Sequence, residues 1–149
     1  MTPDSALPAA QRDALLAELN TLLEAERAGA RVALETGRAL DEPRMAELVE
    51  RIRLDEVHWC GMLLRAIRAL DATPSDLTGA FHGKAMAIAD VEQRLAFLNR
   101  GQAWVVRKLQ SLLQGPLPGS LRADLADMLA AHESNISLVE AALPPKASS

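Results

Sequence analysis

Apolar residues recur along this chain at steps of three and four, the period of one helix face rather than of a strand. In the first such stretch, from about Ala9 to Leu40, Leu15, Leu19, Leu22, Leu23, Ala30, Ala33 and Gly37 fall on one side. The second follows "LDEPR" and runs to about Leu70, with Met45, Leu48, Val49, Ile52, Trp59, Leu63 and Ile67 as its stripe. Asp41 is the expected cap there, because Pro43 is tolerated only in a first turn. A third helix is expected from about Lys84 to Gln114, carrying Ile88, Val91, Leu95, Leu98, Val106, Leu109 and Leu113, and stopping at Gly115 and Pro116. The fourth is expected to start with Ser120 as cap and to carry Leu125, Leu129, Ile136, Val139 and Leu143.

The connections run short, long, short. Short links make antiparallel neighbours, whereas the stretch from Asp71 to about Gly83 reaches ~40 Å when extended, close to the length of the helices it joins. The expectation is an all-α fold: an antiparallel four-helix bundle with a long crossover between helices 2 and 3. The 149 residues suit one domain over 1–149 with its core at about 9–143, and the tail 144–149 is expected to be disordered.

Each stripe is broken near mid-length by polar residues. His132 stands where the fourth helix calls for an apolar side chain, and Asn135 follows one turn later. Glu26 lies between Leu22, Leu23 and Ala30; Asn99 and Gln102 lie between Leu95 and Val106. On helix 2, Asp55 and His58 form an i, i+3 pair at the edge of the stripe, with Glu56 nearer its middle. An unpaired buried polar group costs a few kcal/mol, so groups at one level of a core satisfy one another, water or a metal. Two readings follow. In one, Glu26 and His132 form a buried pair that sets helix register, with Glu56, Asn99 and Gln102 in the same network. In the other, Glu26, Asp55, His58 and His132, with Asn135, hold an ion.

The arrangement resembles the ferritin-like superfamily of bacterioferritins and rubrerythrins. "LNTLLEAERAGA" is similar to the first helix of bacterioferritin, a likeness that puts Glu26 at a metal-ligand position, and "DEVH" matches the second-helix Glu-x-x-His with Asp55 in place of Glu and His58 kept. "LAAHESNISLVEAAL" is similar in pattern to the fourth helix, where His132-x-x-Asn135 replaces the family's Glu-x-x-His, and the third-helix Glu has no clear counterpart beside Asn99 or Gln102. The resemblance implies a di-metal site. A di-iron centre in this fold takes about four carboxylates and two histidines, and two of those carboxylate positions are lost here, leaving a degenerate set suited to a single Fe, Mn or Zn ion. The chain also lacks tyrosine and has Cys60 as its only cysteine, so it offers neither a radical-forming phenol nor a rubredoxin-type donor.

Charge and surface patterning narrow the partners. A formal net charge of −4 without a basic cluster argues against nucleic acid, and no apolar run approaches the ~20 residues that cross a bilayer. The opening "MTPDSALPAAQRD" lacks the basic and apolar regions of a signal peptide, so a cytoplasmic location is expected. Phe97, Gly101 and Trp104 lie opposite the stripe of helix 3, and Leu54, Val57, Gly61 and Leu64 lie on the back of helix 2. These second apolar faces call for a cover, and a homodimer is expected to supply it, with Phe81 and Met86 of the crossover covering part. The expected function is a bundle with a degenerate metal site in a non-catalytic, binding or structural role. The alternative is a metal-dependent oxidoreductase or metal-handling protein using the reduced ligand set. No phosphate loop, nucleophile elbow or coenzyme fingerprint names a substrate.

Overall fold

The computed structural model describes residues 7–144, and every regular element among them is a helix. The elements are α1 (Ala9–Arg38), α2 (Pro43–Ala69), α3 (Phe81–Met86), α4 (Val91–Leu113) and α5 (Gly119–Ala142). Apart from Pro144, the tail expected to be disordered lies outside the described residues. No helix among them is long and apolar enough to cross a membrane.

Three helix starts differ from the expected ones, each for a local reason. The predicted third helix is broken into α3 and α4. Asp90 accepts a hydrogen bond from the Gln93 backbone N–H at 2.9 Å and restarts the helix, while the buried Arg94 guanidinium donates to the Ile88 carbonyl at 3.0 and 2.8 Å, fixing the turn between the two. Helix α2 is capped by Glu42 instead of Asp41: its carboxylate accepts from the N–H groups of Arg44 and Met45 at 3.1 and 2.8 Å, with Pro43 in the first turn. Helix α5 begins at Gly119 without any side-chain cap: Pro118, at φ −55°, presets the entry into the helix, and Ser120 stands exposed.

Helix α1 packs along α2 and α4 along α5, with further contacts of α1 to α3 and α4 and of α2 to α5. Two apolar regions result. One gathers Leu19, Leu22 and Leu23 of α1 with Leu63 and Ile67 of α2, Val105 and Leu109 of α4, and Leu125 and Met128 of α5. The other gathers Val32, Ala33, Val49, Ile52, Ala85, Leu95, Leu98 and Val139. The buried face of α4 reads Leu95, Leu98, Gln102, Val105, Leu109, so Val105 takes the place expected for Val106: counting Gln102 into the stripe shifts its phase by one residue.

The crossover from Leu70 to Ala80 has no helix of its own and meets its hydrogen-bonding needs on α1. Asn20 accepts from the Ser75 N–H at 2.7 Å, Glu24 accepts from the Ser75 hydroxyl at 2.7 Å, and Arg27 donates to the carbonyls of Ser75 and Leu77. His82 then contacts Glu35 at 3.1 Å. These ties hold the crossover against α1 and bring α3 over the α1–α4 cleft.

Candidate functional site

Between the two apolar regions all four long helices contribute polar side chains at one level: Glu26 from α1, Asp55 and Glu56 from α2, Asn99 and Gln102 from α4, and His132 and Asn135 from α5. The centre is dry. Glu26 and Glu56 are each 2% exposed, His132 1% and Gln102 3%.

His132 Nδ1 donates to the Met128 carbonyl at 3.0 Å, and Nε2 donates to Glu26, 3.2 Å from Oε2 and 3.0 Å from Oε1. Both partners are oxygens, an arrangement that suits the imidazolium, the form in which both ring nitrogens donate. Burial works against that charge. The Glu26 carboxylate, through its charge and its hydrogen bond, outweighs burial with help from the Met128 carbonyl and Asp55, and holds the His132 pKa above its ordinary value. Asn135 donates to Asp55 Oδ2 at 2.9 Å, and Asn99 donates to the Ile136 carbonyl at 3.2 Å.

Glu56 has no such partner. Burial, and after it the charges of Glu26 and Asp55, push its carboxyl well above the usual range. Room for it comes from Gly29 on α1, where a Cβ would lie 2.4 Å from Glu56 Oε2. The same surroundings act on Cys60: burial first, then Glu26 and Glu56, push its thiol up to about 12 against the opposing pull of Arg27.

The five candidate ligands therefore separate. Glu26 meets His132 and Asp55 meets Asn135, but His58 is exposed on the outside of α2, its ring edge-on to Trp59 at 4.6 Å between centroids. One residue's step around the helix decides this: Glu56, beside Asp55, takes the inward position. Among the described residues no three His, Cys, Asp or Glu side chains converge to hold a metal ion. The donor set therefore does not fit the metal centre that the ferritin-like resemblance implies.

A cavity of about 470 Å³ opens from this polar layer toward solvent between α1, α4 and the end of the crossover. Its floor includes Glu26, Glu56 and Gln102, its walls are chiefly Phe81, Phe97, Leu98 and Val105, and Arg100, Trp104 and Arg107 stand at its rim. Three buried atoms of the floor residues lack a hydrogen-bond partner: Glu56 Oε2, and both the oxygen and the nitrogen of the Gln102 amide. Buried polar atoms are nearly always paired, so an unpaired set on residues that line a cavity is a departure from the rule.

This cavity also corrects the expected interface. Phe81 stacks on Phe97 with centroids 5.0 Å apart, and a Cβ on Gly101 would lie 2.7 Å from the Phe81 ring, so the chain's own α3 covers these two residues. Trp104 borders the opening, Gly61 and Leu64 are half-buried, and only Leu54 and Val57 of the predicted set stand well out of the α2 surface. Sequence reasoning missed the pocket walls. The available signal was glycine in mid-helix at 29 and 101, a placement costing ~1 kcal/mol relative to alanine and common where another group approaches closely.

No curated protein and no solved structure matches the chain. One family model does, over residues 13–141, a span that includes every residue of the polar layer and the whole cavity lining. The chain belongs to that family, described as a domain of unknown function, DUF6306.

Proposed function

We propose that the protein is a ferritin-like, antiparallel four-helix bundle with a degenerate di-metal site, and that it binds a small molecule without turning it over. The observation that carries the binding role is the cavity whose apolar walls end on Glu26, Glu56 and Gln102 with three unpartnered polar atoms. Its volume of about 470 Å³ lies within the ~300–1,000 Å³ of ordinary ligand pockets. Support for the bundle comes from the order in which the chain visits the two apolar regions. Helices α1 and α5 pass from the first to the second, and α2 and α4 pass back. A non-catalytic role fits the commitment of His132 to Glu26 and of Asp55 to Asn135, which leaves no free base opposite an open ligand position.

The experiment uses Trp104 as a reporter at the rim, made the sole tryptophan by Trp59→Phe. Anilinonaphthalene sulfonate, an apolar fluorophore with one anionic group, is titrated while Trp104 is excited. Saturable one-to-one energy transfer that disappears when Ala25→Phe fills the cavity is the expected result. Absence of saturable binding, or binding indifferent to Ala25→Phe, overturns the binding role. Stoichiometric iron, manganese or zinc by elemental analysis, lost in the Glu26→Ala, His132→Ala double variant, would favour the metal-handling alternative. The homodimer keeps Leu54 and Val57 as its support, and sedimentation equilibrium of the chain and of Leu54→Glu tests it.

A further inference from the structure

The layer at and behind the cavity floor carries more buried acid than buried base. Glu26 of α1 and Glu56 of α2 line the cavity; the rest of the layer, which does not line it, holds Asp55 and the thiol of Cys60 on α2 and His132 and Asn135 on α5, while Arg27 of α1 is held by the crossover carbonyls. Gln102 of α4 is neutral. The imidazolium of His132 is already committed to Glu26 and Met128, so Glu56 faces two other carboxylates with no cation of its own.

Two of the three unpartnered atoms are acceptors, Glu56 Oε2 and Gln102 Oε1, and the Glu26 carboxylate, shared with His132, lies beside them in the lining. An ammonium group carries three donors and no acceptor. A metal ion is the poorer match, because among the described residues no three ligating side chains converge and the space is large and mostly apolar. Resting on the binding role proposed above, we infer that the pocket takes a primary amine with an apolar body, its ammonium received by Glu56, Gln102 and Glu26 and its body by Phe81, Phe97 and Val105. The remaining unpartnered atom, Gln102 Nε2, is a donor left for an acceptor elsewhere on the ligand. The rim arginines do not oppose this arrangement strongly: Arg100, 5.4 Å above the Phe97 ring, and Arg107 are exposed, and salt screens exposed charge within about 8–10 Å.

The test compares hexylamine, hexanol and hexanoate on the Trp59→Phe protein by Trp104 emission near pH 7. The expected result is hexylamine bound at least tenfold more tightly than either other probe. Glu56→Gln, of the same shape, is expected to abolish the preference while circular dichroism stays unchanged. Gln102→Leu serves as a second variant, expected to weaken hexylamine more than hexanol. Hexanol binding as tightly as hexylamine, or a preference for hexanoate, overturns the inference. If none of the three probes binds while anilinonaphthalene sulfonate still does, the inference fails and the binding role stands; if that probe fails too, both fail.

Discussion

At the scale of single residues, the Glu26–His132 pair joins α1 to α5 through the centre of the molecule. A buried ion pair is weak evidence of net stability, but removing one partner strands a charge and typically costs about 3–5 kcal/mol. Glu26→Gln and His132→Gln are each expected to lose stability on that order in urea unfolding. The double variant is expected to lose clearly less than the sum, since the second change removes the stranded charge. Cys60 offers a separate check. With its thiol pushed up to about 12, it presents almost no thiolate near pH 7.5, so iodoacetamide is expected to label it only after the chain is unfolded.

At the scale of elements, the position of α3 rests on Phe81 lying across Gly101 and on the crossover's ties to Asn20, Glu24 and Arg27. Gly101→Ala is favourable for α4 by propensity, yet its Cβ would meet the Phe81 ring at 2.7 Å. The net expectation is a loss of roughly 1–3 kcal/mol from overpacking, with faster amide hydrogen exchange confined to α3 and the crossover. Unchanged exchange in α3 would mean that the ring moves aside without loosening the helix.

At the scale of the whole molecule, the polar layer makes stability depend on pH in one direction. The folded-state pKa of Glu56 lies above its ordinary 4.5, so the folded form retains a proton that the unfolded chain releases, and stability falls as pH rises above about 4.5 until the buried carboxyl ionises. The folded-state pKa of His132 lies above its ordinary 6.5, so its contribution is full below that pH and is lost as pH rises through the raised value. Thermal unfolding between about pH 5 and pH 9 is expected to show a falling midpoint, and Glu56→Gln is expected to remove the part of the fall that begins in the acidic range.

Much of this protein was legible in the order of its residues. The 3.6 period and the punctuation at "LDEPR", "DATPSD" and "GPLPG" determined an all-helical chain with a long link in its middle, because helix periodicity and turn chemistry are local properties. The mid-length breaks at Glu26, Gln102, His132 and Asn135 determined that a polar layer would be buried, since a polar residue in an apolar stripe has nowhere else to point. Which layer members meet was decided only in three dimensions. A rotation of one residue about α2 puts Glu56 inward and His58 in solvent, and periodicity does not resolve positions at a stripe's edge. The same holds for the cavity: the crossover's ties to α1 bring Phe81 onto Phe97 and Gly101, turning a surface expected to face a second chain into the wall of a pocket, and contacts between residues that distant in sequence exist only once the chain has folded.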